Sequence, residues 1–150
     1  MAQSAAKRAR ETGTTQEERE ARLARARAFS VDAARLLADR RCRDVNVLEV
    51  AGISPVTDFF VLATATSGRQ MRTLARDMEE LAPEHDLRPL GRGHRGETNE
   101  RWIAIDLVDV VVHIFSAEAR LFYVLDHLWG DAKQVPWARE GTAKGEAEGT

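Results

Sequence analysis

The chain has 150 residues, of which 43% are hydrophobic and 31% charged, a composition that suits one globular domain with one continuous core. Its most apolar stretch, Ile103 to Phe115, contains Asp106, Asp109 and His113 and is shorter than the ~20 apolar residues a membrane helix needs. A single cysteine, Cys42, excludes an internal disulfide, a four-cysteine zinc site and a redox pair. With no apolar N-terminal signal core either, a cytoplasmic, non-membrane protein is expected.

The formal net charge of −2 divides unevenly. Residues 1–43 hold 11 Lys+Arg against 6 Asp+Glu, a net +5, and residues 44–150 hold 11 against 18, a net −7. An acidic body argues against nucleic-acid binding by that body and favours a basic protein surface as partner. Direct RNA contact is expected only through the basic N-terminal arm.

Residues 1–29 read as a basic extension, disordered at first and then helical from Thr15, which stands at capping-box spacing from Glu18. Residues 30–137 read as the folded domain and 138–150 as a disordered tail of Gly, Ala and charged residues. Ser30 is a suitable N-cap for a helix over Val31 to Arg41, with Val31, Ala34 and Leu37 on one face. Val45, Val47 and Val50 mark a strand, and Thr57 to Ala65 a second, more buried one.

Ser67 with Gln70 predicts the start of a helix carrying Met71, Leu74, Ala75, Met78 and Leu81 at helical spacing, and Pro83 ends it. A short strand is expected over Leu87–Leu90. Gly91 to Asn99 reads as a loop; its GxGxxG string neither follows a clear strand nor opens a helix, as a dinucleotide site requires.

Two apolar runs, Trp102–Leu107 and Val110–Phe115, flank Val108-Asp109, which reads as a two-residue hairpin turn. This register pairs Leu107 with Val110, Asp106 with Val111, Ala104 with His113 and Trp102 with Phe115. Alternation gives one wholly apolar face: Ile103, Ile105, Leu107, Val110, Val112 and Ile114. The other face mixes Trp102, Ala104, Asp106, Val111, His113 and Phe115. That mixture suits an interface centre; the other reading is a helix covering this face over an Asp106–His113 pair. Val108 is an awkward turn residue, because a primed turn needs positive φ. Ser116 then caps a helix over Ala117 to Trp129, ended by Gly130.

No enzyme site assembles from these residues. Asp106 and Asp109 flank the turn and need not converge on a metal ion. His85, His94, His113 and His127 fall on separate elements and form no zinc or triad pattern. Thr66-Ser67-Gly68 could hold an anion, although capping accounts for these residues as well. Arg40, Arg41 and Arg43 would lower the Cys42 thiol pKa, yet no base partner is identifiable. Neither cofactor nor metal is expected.

Three ordered motifs carry a family resemblance: TDFFVLATATSGRQ at 57–70, WIAIDLVDVVVHIF at 102–115 and EARLFYVLDHLWGDA at 118–132. Together they make the stretch Asp44 to Trp129 resemble the ribosomal silencing factor, or Iojap-related, family. Val108 departs from the glycine common in that family's turn. The resemblance implies an α/β (α+β) single domain, a mixed sheet of about five strands with helices, of nucleotidyltransferase-like topology without a working catalytic site. It implies a translational repressor that is no enzyme and that binds the large ribosomal subunit through large-subunit ribosomal protein fourteen. Blocking small-subunit association under nutrient limitation would follow. A role in large-subunit assembly is the alternative, and a nucleotidyltransferase-like enzyme a more distant one. Carried onto this chain, the contact residues are Trp102, Asp106, Asp109, His113 and Tyr123. The mixed sheet face would also suit a homodimer of the free protein.

Overall fold

Thr15 opens the first helix of the computed structural model, which describes residues 15–89, 101–122 and 131–139. Its hydroxyl accepts from the Glu18 amide at 3.0 Å, and the Glu18 carboxylate accepts from the Thr15 amide at 2.9 Å. Both arms of the capping box therefore form. Helix α1 then runs unbroken from Gln16 to Asp39. This corrects the expected start at Val31: Ser30 is interior, and its hydroxyl donates back to the Ala26 carbonyl at 2.8 Å. Ala26, Phe29, Ser30, Ala33, Ala34 and Leu37 form one buried stripe through that position, and its three small alanines let the helix approach the sheet closely.

α1 ends in a Schellman arrangement. The Arg41 amide donates to the Ala38 carbonyl at 2.9 Å and the Cys42 amide to the Leu37 carbonyl at 3.1 Å. Arg41 holds φ 71°, a conformation usually left to glycine. Strand β1, Arg43–Glu49, begins with a register shift between Arg43 and Asn46, where Asp44 also has positive φ.

β2, Phe59–Thr64, is buried at every position, as expected of a strand covered on both faces. Helix α2, Gly68–Leu81, follows and buries Met71, Leu74, Ala75 and Met78. A single 3₁₀ turn over Ala82–His85 contains Pro83. β3, Trp102–Asp106, and β4, Val110–Phe115, make the hairpin, α3 begins at Ala117 and is described to Phe122, and β5 is Lys133–Gln134.

The strand order is β3-β4-β2-β1-β5. β2 and β4 are parallel and the other pairs antiparallel, giving the expected mixed five-stranded sheet. The fifth strand is not the expected Leu87–Leu90, however. Residues 87–89 have no regular structure, and Pro89 lacks the amide a ladder needs. α1 packs across β1 and β2, and α2 across β3 and β4. Beneath them lies the main core, which takes in all six residues of the apolar hairpin face.

The chain from 131 onward returns to this body. Val135 is buried and its amide donates to the Val47 carbonyl at 2.9 Å. Trp137 packs on the core while its carbonyl accepts from Arg35 Nε at 2.6 Å, and Arg139 meets both carboxylate oxygens of Asp39 at 2.9 and 3.0 Å. Among the described residues no helix is long and apolar enough to cross a membrane.

Division of the charge at residue 43 cuts through this fold. α1 docks on the acidic body, and its arginines pair there: Arg27 with Glu49, and Arg40 with Asp77 at 3.3 Å. Residues 15–139 hold 18 Lys+Arg and 20 Asp+Glu, a net of −2. The expected −7 body is thus an artefact of where the chain was divided.

Candidate partner-binding face

The hairpin forms in the expected register, with Trp102 opposite Phe115, Ala104 opposite His113 and Asp106 opposite Val111. Beyond them, the Leu107 amide donates to the Val110 carbonyl at 2.8 Å. The turn is held at positive φ despite its β-branched residue: Val108 has φ 72°. The Asp109 amide donates to the Leu107 carbonyl at 2.9 Å, so Val108 is the centre of a γ-turn of the strained kind.

Three neighbours brace this turn. Asp106 Oδ1 accepts from the Val108 amide at 2.8 Å, and the Thr57 hydroxyl donates to the Val108 carbonyl at 2.9 Å. The Asp109 carbonyl accepts from the amides of Asp58 and Phe59, each at 3.1 Å. Backbone strain of this kind persists only where the surroundings over-determine it.

Exposure on the mixed face falls from the edge strand inward. Trp102, Ala104 and Asp106 of β3 are half-buried, whereas Val111, His113 and Phe115 of β4 are buried. The inner part joins Leu48, Val50, Phe60, Leu62 and Ala119 in a second, smaller apolar cluster. The face is therefore neither wholly open nor wholly covered: its edge is accessible and its centre is core.

His113 is not paired with Asp106. Its Nδ1 accepts from Trp102 Nε1 at 3.0 Å, which assigns the proton of the neutral ring to Nε2. Ring stacking joins His113 to Trp102 (centroids 5.7 Å) and to Phe115 (6.0 Å), and Phe60 meets it edge-on at 5.3 Å. The structure thus brings Trp102, Asp106 and His113 onto one face. Asp109 lies buried at the turn, 5% exposed, and Tyr123 lies outside the described residues, as do His94, His127 and the Gly91–Gly96 string. The signal for the Trp102–His113 bond in the sequence is the hairpin register, which makes these two residues diagonal neighbours.

The remaining candidates resolve into structural roles. Ser67 Oγ accepts from the Gln70 amide at 3.1 Å, and Gln70 Oε1 accepts from the Thr66 amide at 2.6 Å. Two of the amides at this helix start, those of Thr66 and Gln70, are thereby engaged by capping. His85 pairs with Asp32 at 2.9 Å and sits edge-on to Phe29. Burial pushes the Cys42 thiol up to about 11 from 9.0, opposite to the direction its arginine neighbours suggest, because desolvation penalises the thiolate. Among the described residues no group of three or more His, Cys, Asp or Glu side chains is placed to hold a metal ion. A cavity of about 170 Å³ lined by Arg19, Arg22, Leu23, Ala51, Gly52 and Asp58 is smaller than the ~300–1,000 Å³ typical of cofactor sites.

Comparison with known proteins bears on the same region. The family model described as "Ribosomal silencing factor during starvation" matches residues 23–149. Ribosomal silencing factor RsfS of Bacillus subtilis is 37% identical over 94 residues, covering 63% of this chain and 78% of that protein. Chloroplastic protein Iojap of Arabidopsis thaliana is 33% identical over 109 residues, covering 72% of this chain and 44% of that one. Two solved structures share the fold. One from Bacillus halodurans has a TM-score of 0.56 at 31% identity, covering 72% of this chain and 93% of its own. The other, from Chromobacterium violaceum, has a TM-score of 0.59 at 25% identity, covering 75% and 88%. With its hairpin, its sheet order and a match over most of its length, this chain belongs to the ribosomal silencing factor family.

Proposed function

We propose that this protein binds the large ribosomal subunit through large-subunit ribosomal protein fourteen and, by occupying that surface, keeps the small subunit from joining when nutrients are scarce. Trp102 carries the reading: it is a large aromatic left partly accessible on an edge strand, on the same face as the Asp106 carboxylate four residues along. Half-exposed aromatics next to a polar rim are the usual anchors of protein interfaces. Asp106 spends Oδ1 on the turn, and its Oδ2 accepts no hydrogen bond among the described residues. That oxygen is placed to meet an arginine or lysine of a basic partner. The mechanism is steric and needs no turnover, and it operates in the cytoplasm, where the subunits meet.

Sedimentation of purified large and small subunits with the protein tests this. Saturating protein is expected to leave the subunits separate, and normal joining would refute the reading. Trp102→Ala with Asp106→Asn keeps an acceptor for the Val108 amide while removing the anchor and the charge. This double variant is expected to keep its circular dichroism and lose co-sedimentation with the large subunit. A large subunit that binds the protein and still joins would instead indicate an assembly role.

A further inference from the structure

His113 is only 8% exposed, so the surface it offers a partner is small. What it does contact is the residue that is accessible. Its Nδ1 accepts the indole N–H of Trp102 at 3.0 Å, and its ring stacks on the indole at an interplanar angle of 29°. Phe115 stacks on Trp102 at 15° and on His113 at 14°, so three rings form one nearly parallel group across β3 and β4. An indole nitrogen can only donate, and an imidazole nitrogen accepts only while it carries no proton.

We propose that His113 is a positioning residue: its unprotonated Nδ1 fixes the indole of Trp102 in the orientation that meets the partner, and a proton on Nδ1 releases it. Protonation would set Nε1–H against Nδ1–H, two donors face to face, and the bond would be lost. The ring is packed by Phe60 and Leu62 of β2, Trp102 and Ala104 of β3, Phe115 of its own strand, and the cluster to which Leu48, Val50 and Ala119 belong. The charged groups around this face among the described residues are three acids on or beside the strands, Glu118 on α3, and one cation, Arg101, which precedes Trp102. Asp106 is on β3, with Asp58 before β2 and Asp109 at the turn, nearer the other end of the strands. The carboxylates favour a proton on the ring, while Arg101 and the aromatic packing oppose a buried charge. The inference rests on the reading of Trp102 as the anchor, and it assigns that anchor a pH dependence in the range where histidine titrates.

Two measurements on the full-length protein test it separately from that reading. In the free protein, ¹⁵N spectra of the His113 ring at pH 7.5 should report the Nε2–H tautomer, and the Trp102 indole proton should shift as His113 titrates. An Nδ1–H tautomer, or an indole signal unmoved through the titration, overturns the proposal even if the protein binds ribosomes. Large-subunit affinity is then compared at pH 7.5 and 5.5. The wild type should lose about fivefold, the worth of one neutral hydrogen bond. In His113→Asn, whose side-chain oxygen lies near the position of Nδ1 and does not titrate, the ratio between the two pH values should be close to one. His113→Phe keeps a stacked ring without an acceptor and should bind weakly and equally at both. Equal losses in wild type and His113→Asn refute the proposal. Absence of large-subunit binding at any pH refutes the anchor reading while leaving the spectroscopic result standing.

Discussion

Val108 is where a single residue works against its own conformational preference. A β-branched side chain at φ 72° costs roughly 1–3 kcal/mol, whereas glycine there would lose roughly 0.5–1 kcal/mol of chain entropy. Val108→Gly is therefore expected to stabilise the fold by about 1 kcal/mol, some 2–4 °C in Tm by thermal unfolding. A lower Tm would mean that the contacts of the half-buried valine outweigh the strain. Cys42 makes a second case. Its thiol is raised to about 11, so the folded state keeps a proton that the unfolded chain gives up near 9. Stability from this group is complete below pH 9 and is lost as pH rises toward 11. Cys42→Ala should flatten that part of the stability profile, and alkylation of the native thiol at pH 8 should be slow compared with the unfolded chain.

At the scale of elements, the hairpin was fully legible because period-two alternation and a two-residue turn leave one register that buries the apolar face. The α2 start at Ser67 was equally local. Ser30 has the chemistry of a cap, which is why the sequence points to a helix start at Val31 that α1 does not have. Whether a serine caps or back-bonds depends on whether the preceding turn is helical, and here Ala26 and Phe29 are held by the sheet. Val31→Pro distinguishes the two arrangements. At the first position of a helix proline would be nearly neutral, but inside α1 it removes an amide bond and clashes with the Arg27 carbonyl. A loss of about 3 kcal/mol in urea unfolding is expected. β5 was invisible because two residues, Lys133–Gln134, carry no periodicity.

Across the whole molecule, segments distant in sequence close the structure. The 131–139 strap reaches α1 through Arg35 and Asp39 and β1 through Val47. Trp137→Ala is expected to cost about 2 kcal/mol, less than a fully buried tryptophan. Amide exchange at Val135 should accelerate well beyond that of β2, as for a unit that opens separately; uniform acceleration would show that the strap unfolds only with the core. Electrostatics changes at this scale as well. Exposed ion pairs contribute little each, but Arg27 with Glu49 joins α1 to β1 and Arg139 with Asp39 joins the strap to α1, so opposite charges meet inside the body. Under the proposed function, attraction to a basic partner would therefore rest on local carboxylates such as Asp106 rather than on a large negative total.

The sequence by itself determined the covering of β2 on both faces, the hairpin register, the caps at Thr15 and Ser67, and the ordered motifs that mark the family. All of these arise from spacing within a dozen or so residues, where chain geometry allows few alternatives. The net charge of −2 did not reveal where opposite charges meet, and dividing it at residue 43 separated groups that the fold pairs. Only the tertiary structure decided that α1 is part of the body and that the 131–139 strap supplies the fifth strand. It also decided that His113 serves Trp102 rather than Asp106. These outcomes depend on which surfaces are desolvated together, and that is a property of packing between segments rather than of any one of them.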